Sequence, residues 1–566
     1  MLKLIPAVKK LELKEGKLET KGIFYSSLSV DKRVISALSK LPYDEKGAKL
    51  EIEVLGEDGE GYELSIQNNK IKIKAESDVA AFWAVQTLRQ IFAHDQVPFL
   101  YINDKPDFKY RGFYHDVTRG KISTVETLKD IIDKMAYLKL NSFQLYVEHV
   151  FNFKEYADIN EKTGYLTPEE IKEIDEYCEE NFIEFIPSVS TFGHLYELLN
   201  QEKYKHLRVL KEELGPNFWL NRMRHHTINP LIDESFEVIK SIIDQYMPCF
   251  KSDTFNICCD ETFDLKLFDE MGMDSGKIYV EFVNKIADYV KSRGKKVMMW
   301  ADILLKHPET IESLPEDICF LNWDYKAQPV EENVAHFEKI NRQQIVCPGI
   351  STWNRYCENI DTSEGNITLL SKYGYEHGAI GVLNTNWGDW GNPCFLELSM
   401  FGLALGAEKS WTVEAKDAPH FYDRVNFIIY ENENGVKYLK ELCDIHKFIG
   451  WKSFVTNYFE YRYGKITEFA PALNGDINLL KEAYESFTEK LSKEKWKNDE
   501  YRQAMLISAE GLCLLGEFAA RMMGQDVTRT IDTEAWLKKY RENWLKGNKE
   551  SELRNLEEVF RYCDKI

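Results

Sequence analysis

Residues 254–261 read TFNICCDE, an apolar run of strand length closed by two acidic side chains, Asp260 and Glu261. An Asp-Glu dipeptide alone is unremarkable in an acidic chain, where most such pairs are solvated. The buried character of TFNICC changes its meaning, because it places the pair at the end of an interior strand. Successive strand residues point to opposite faces, so two adjacent carboxylates reach one ligand only where the strand gives way to its loop.

The same pattern recurs on both sides. Runs of strand length alternate with amphipathic helices from Tyr110 onward: YRGFYHDV (110–117), SFQLYVEH (142–149), EFIPSVSTF (184–192), KVMMWADI (296–303), ICFLNWDY (318–325), QIVCPGI (344–350) and AIGVLNTNW (379–387). With 254–261 these make eight, the number expected of a (β/α)8 TIM barrel. Ser123 and Glu126 are spaced as an S-x-x-E capping box ahead of Leu128, Ile131, Ile132, Met135 and Leu138, which face a sheet. Most of the strands end in polar or aromatic residues, namely Asp116, Glu148, Asp260-Glu261, Trp300, Trp323 and Trp387. In a parallel barrel all these ends open on one face, so the side chains are expected to converge. The long insertion 193–230 after the third strand is of the kind that shapes a site.

Before the barrel, KLEIEVLG (49–56), YELSIQN (62–68) and KIKIKAE (70–76) alternate with period 2, with Asn68-Asn69 as a hairpin turn, and a helix follows at 78–93. The expected organisation is a small α+β domain (1–105), the catalytic barrel (106–411) and a helical C-terminal region (412–566), which packs on the barrel, forms a homodimer surface, or both. The formal net charge of -21 disfavours nucleic acid and anionic membranes as partners. No stretch approaches the ~20 apolar residues of a membrane span. The N-terminus lacks the apolar core of a signal peptide, and the 11 cysteines show neither framework nor CxxC spacing. A cytoplasmic protein without a structural metal or cofactor is the expectation.

Three motifs in order, YRGFYHDVTRG, the Gly-His-Leu after strand 3 and NICCDE followed by Thr262, resemble glycoside hydrolase family 20, the β-N-acetylhexosaminidases, and the resemblance covers nearly the whole chain. Where the family usually carries glycines before the acidic pair, this chain has Cys258 and Cys259, a departure conservative in size. The resemblance implies retaining, exo-acting hydrolysis of terminal β-linked GlcNAc or GalNAc from an oligosaccharide or glycoconjugate. The nucleophile is then the substrate's own acetamide oxygen, an exception to the two-carboxylate scheme. Asp260 would orient the acetamide, and Glu261 would act as acid and base with its pKa raised by burial and by its anionic neighbour. Arg111 and Asp389 would hold sugar hydroxyls, Trp300, Trp323 and Trp387 would wall the acetamide pocket, and Trp390 would offer a surface to the leaving group. His194 would tune the acid, with Glu148 behind it; beside Glu148, His149 replaces one member of the family's acidic pair.

The tyrosine that grips the acetamide oxygen has no clear match, and Tyr356, Trp353 and Tyr325 all remain candidates. His225-His226 lacks the further ligands of a metal site and reads as an inert loop pair. The alternatives are a retaining glycosidase with an enzyme carboxylate as nucleophile, which needs a second carboxylate about 5 Å away, and a non-catalytic sugar-binding barrel. No serine-hydrolase elbow, phosphate-binding loop or HExxH motif is present.

Overall fold

The computed structural model describes residues 2–212, 214–415, 418–470 and 472–566. The N-terminal part is a six-stranded sheet of β1 (Lys10–Lys17), β2 (Ile23–Phe24), β3 (Ala48–Val54), β4 (Tyr62–Gln67), β5 (Lys70–Ala75) and β6 (Pro98–Asp104), in the order β1-β6-β4-β5-β3-β2. The β4–β5 hairpin turns on Asn68 and Asn69, whose φ values of 50° and 56° are the left-handed pair that a two-residue hairpin needs. Helix Asp78–Phe92, capped by Ser77, buries its apolar side on this sheet. β1 and β6 escape a periodicity reading: β1 is mostly exposed, and β6 lies beyond the helix, outside the alternating runs that precede it.

The barrel follows at once. Its strands are β7 (Tyr110–Asp116), β8 (Ser142–Tyr146), β9 (Glu184–Phe185), β10 (Thr254–Asn256), β11 (Lys296–Trp300), β12 (Cys319–Trp323), β13 (Gln344–Cys347), the short extension β14 (Gly349–Ile350) and β15 (Gly381–Asn386). All pairings are parallel, with β15 beside β7, and the ring closes where Asn256 N–H donates to Pro187 O at 2.9 Å across the β9–β10 seam. All eight expected barrel strands are present.

The cap of the first barrel helix, Val125–Tyr137, is shifted from the expected position. Thr124 accepts the Thr127 N–H, while Ser123 is drawn off by His115 Nε2 at 3.0 Å. The reciprocal capping box occurs instead at Thr167 and Glu170.

From Gly435 the chain is helical, and the helix Asp499–Met522 is its core. Contrary to the sequence expectation, that helix is long and apolar enough by composition to cross a membrane, but 83% of its most apolar window is buried among its neighbours.

The lower rim of the barrel is joined to the N-terminal sheet by buried charges. Arg111, at the start of β7 and wholly buried, pairs with Glu60 (Nη1 to Oε1 3.0 Å) and donates to the carbonyls of Lys139 and Phe108. Asp104, at the end of β6, accepts from Lys139 Nζ (3.0 Å), Tyr62 OH (2.7 Å) and Trp411 Nε1. A buried ion stripped of its partner costs about 3–5 kcal/mol. Glu60→Ala is therefore expected to lower the urea midpoint of unfolding substantially, by about 3 kcal/mol of stability; an unchanged midpoint would contradict this role of the pair.

Candidate active site

Strand β10 ends at Asn256, and the following residues abandon extended geometry. Cys258, Cys259 and Glu261 have φ values of 57°, 67° and 49°. This left-handed backbone breaks the alternation of a strand and turns the consecutive side chains of Asp260 and Glu261 toward one space. Glycine takes this conformation freely, whereas other residues pay ~1–2 kcal/mol each. Replacing glycine with Cys258 and Cys259 is thus not the neutral exchange that size suggested. The thiols are buried, Cys258 against Ser188 (3.4 Å) and Cys259 against Thr191 (3.4 Å), so their packing offsets part of the strain.

Between the two carboxylates stands His194, itself at φ 56° in the strand-3 loop. Its Nε2 lies 3.2 Å from Asp260 Oδ2 and 3.3 Å from Glu261 Oε2, and its Nδ1 lies 3.9 Å from Glu148. Burial opposes a charge on this imidazole, but the two facing carboxylates outweigh it and hold its pKa well above the ordinary 6.5. The effect on Glu261 reverses the sequence expectation. Burial pushes its pKa up, but the His194 imidazole 3.3 Å away pulls it below the ordinary value. The resting site therefore holds its proton on the imidazole.

Behind the pair lies Asp302, two residues past β11. Its Oδ2 accepts the Glu261 N–H at 3.2 Å, and its pKa is raised to about 7 by burial and by the charges of Asp260 and Glu261. His226, which resembled an inert loop residue, stacks on His194 at 4.8 Å. Burial and the charge of His194 push its pKa down to about 3, so it is a neutral plate against an imidazolium. Nothing in the local sequence marks it, because the long insertion carries it there.

Arg111 does not belong to the site; it lies at the opposite end of β7. The arginine at the rim is Arg119, eight residues later in the same motif. Its Nη1 is 3.0 Å from Asp389 Oδ1, and its guanidinium lies 4.7 Å over the Tyr146 ring and 5.1 Å over Trp387. Asp116 fixes the loop by accepting the N–H groups of Thr118 (2.9 Å) and Arg119 (3.1 Å), with its other oxygen on the Gly388 N–H (2.9 Å). The clue was available: functional groups in such barrels sit at the carboxyl ends of strands, and Arg111 begins one.

The three tryptophans expected to wall the acetamide pocket lie in one packed cluster. Trp300 and Trp387 are buried with ring centres 5.9 Å apart, and Tyr114 touches both. Trp323 stacks on Tyr325 at 4.9 Å, and Tyr325 OH accepts from Trp387 Nε1 at 2.8 Å. Trp353 packs against Tyr325, whereas Tyr356 lies outside this cluster, against Trp451 and Tyr540. Trp390 follows Asp389, and its carbonyl accepts from Trp451 Nε1 at 2.7 Å. His149 is buried, with neither ring nitrogen hydrogen-bonded. Among the described residues no cluster of side chains has the make-up of a metal site.

A parallel barrel whose carboxyl rim gathers acid groups, one imidazolium and a tryptophan wall has the architecture of a glycoside hydrolase. The comparisons make this specific. Residues 108–353 match the catalytic domain of glycosyl hydrolase family 20, and residues 2–105 match domain 2 of the same family; the chain belongs to that family. A β-hexosaminidase of Porphyromonas gingivalis is 27% identical over 283 residues, covering 43% of this chain and 36% of the relative. Hexosaminidase D of Bos taurus is 27% identical over 222 residues, covering 37% of this chain and 61% of its own length. The chain thus spans little more than a third of the first of these relatives. In fold it is similar to the Flavobacterium johnsoniae chitobiase (TM-score 0.62, 16% identity, 99% of both chains). It is likewise similar to the Streptomyces plicatus N-acetyl-β-hexosaminidase (TM-score 0.58, 19% identity, 75% of this chain and 93% of that one).

The site's charge state is directly measurable. In the nitrogen NMR spectrum of labelled histidine, the His194 imidazole is expected to remain protonated well above pH 6.5. The double substitution Asp260→Asn, Glu261→Gln should return it to neutral near or below that pH; an imidazole already neutral at pH 7 in the unaltered protein would refute the bridging charge.

Proposed function

We propose that the protein is a retaining exo-β-N-acetylhexosaminidase that removes terminal β-linked GlcNAc or GalNAc by substrate-assisted catalysis. The observation that carries this reading is the pairing of Asp260 and Glu261, bridged by His194, with an apolar box of Trp300, Trp323 and Trp387. A box of indoles has no use for a plain hydroxyl at C2 but accommodates an acetamide methyl. The names of the family-20 relatives support the same activity.

In the reaction Asp260 accepts the acetamide N–H, and the acetamide oxygen attacks C1 as the glycosidic C1–O bond breaks. The leaving oxygen takes a proton from Glu261. Because the resting proton sits on His194, it crosses the 3.3 Å to Glu261 Oε2 as substrate fills the site. Water then opens the cyclic oxazolinium at C1 and returns its proton to Glu261, with net retention. Tethering the nucleophile to the reacting sugar supplies its high effective concentration. Tyr325, whose hydroxyl already faces the box through Trp387, takes the role of gripping the acetamide oxygen. Arg119 and Asp389 hold the outer hydroxyls, and Arg111 has no part.

We also assign the protein to the cytoplasm, a reading supported by eleven cysteines that are all unbridged and buried.

Aryl β-GlcNAc and β-GalNAc should be substrates, a plain aryl β-glucoside should be inert, and a thiazoline mimic of the oxazolinium should inhibit. Glu261→Gln is expected to abolish cleavage of glycosides with poor leaving groups and to spare activated aryl glycosides; equal losses on both would exclude the general-acid role. Arg119→Met removes charge-assisted hydrogen bonds worth about 1.5–3 kcal/mol each, so kcat/KM should fall about 10²-fold or more.

The pH profile follows from the site's proton. Activity needs one proton on the His194–Glu261 pair, so it is lost as pH rises through the raised His194 pKa, placing the alkaline limb above pH 6.5. In His194→Phe the acid is Glu261 alone, and the limb should move acidward; an unmoved limb would rule out the imidazole as the resting proton carrier.

A further inference from the structure

The mouth of the barrel is not open beyond the Arg119–Asp389 pair. The insertion 193–230 carries the short helix Phe218–Arg222, which sets Trp219, Arg222 and Met223 against Arg119, Asp389 and Trp390. The chamber left between them, which Glu148 and His194 also line, measures about 20 Å³. A water molecule needs about 10–15 Å³, so the space holds one water and is far too small for a second sugar.

The wall is clamped from a distant part of the chain. Arg222 Nε donates to Glu197 Oε1 (2.8 Å), and Nη1 donates to Glu552 Oε2 (3.0 Å), with all three side chains largely buried. Glu552 ends a segment of the C-terminal region that runs along the loop after β7. Thr124 N–H donates to Gly547 O (3.0 Å), Lys549 N–H to Ile122 O (2.8 Å) and Glu552 N–H to Gly120 O (3.2 Å). One carboxylate thus ties the strand-3 insertion to the loop that carries Arg119. Trp219, 3% exposed and packed near Gly391, has its indole Nε1 buried without a hydrogen-bond partner.

We infer that the Arg222–Glu552 clamp makes the site a dead end. Through Glu552 the C-terminal helical region holds the insertion against the outer hydroxyls of the terminal sugar, and a residue bearing a further sugar there is refused. The free indole N–H of Trp219 then donates to an outer hydroxyl, directly or through one bridging water. This rests on the proposed function and adds to it the residues that set exo specificity. Arg222 and Glu552 are positioning residues, acting through the wall they hold.

The test compares 4-nitrophenyl β-GlcNAc with the same glycoside carrying galactose on its 4-hydroxyl. The unaltered protein should cleave the first and leave the second intact. Arg222→Met and Glu552→Gln should each raise KM for the first about 10-fold with kcat nearly unchanged. The double variant should be no worse than either single one, since both remove the same contact. Trp219→Phe removes the N–H together with part of the ring system that packs on Trp451 and Phe459, so it should raise KM by at least the roughly 2–10-fold that one hydrogen bond is worth. If the clamp variants do not fold, Trp219→Phe and the galactosylated substrate decide. Cleavage of both substrates by the unaltered protein overturns this inference alone, as does an unchanged KM in folded variants or a loss confined to kcat. Cleavage of neither, with 4-nitrophenyl β-GalNAc also left intact, overturns the hexosaminidase reading and this inference with it.

Discussion

Two carboxylates on consecutive residues that face one space repel each other, and a cation between them offsets that repulsion. His194 is that cation, and much of the site follows from the need to hold it. The strand-3 loop takes a left-handed turn at His194 to bring the ring in, His226 backs it with a neutral face, and Glu148 waits at its other nitrogen. Asp302 lies behind the arrangement, and burial, together with the charges beside it, raises its own pKa to about 7. The protonation order is therefore a property of the cluster, and no single member of it can be titrated without moving the others.

The backbone is as constrained as the charges. A regular strand would point Asp260 and Glu261 to opposite faces, and the left-handed run from Cys258 is what defeats that alternation. Such strain persists only where the surroundings hold it, here through the buried thiols and the Tyr279 hydroxyl on the Cys259 carbonyl at 2.8 Å.

Much of this was legible in the chain. The eight barrel strands announce themselves as apolar runs with polar ends, and the rim positions of Asp260, Glu261, Trp300, Trp323, Trp387 and Asp389 follow from the rule that strand ends share one face. Arg111 misled because a motif match outweighed that same rule; its place at the start of β7 marks it as a residue of the lower rim, where Glu60 holds it. The direction of the Glu261 shift was hidden for a different reason. Whether a buried acid is raised or lowered depends on which neighbour lies 3 Å away, and that neighbour comes from another strand. His226 and Glu552 were invisible, because a loop and a helix far apart in sequence bring them together, whereas Tyr325 was in view but could not be told apart from Trp353 and Tyr356.

The ties at the lower rim bear on how freely this architecture can be recombined. The boundary between the two family-20 domains falls in the few residues between β6 and β7, where a cut looks harmless in sequence. Yet a barrel fragment taken alone would carry Arg111, Lys139 and the Trp411 indole with their acceptors left behind on Glu60 and Asp104. The small sheet is thus less an appended module than the floor of the barrel. Any chimera that exchanges one half must exchange these polar partners with it.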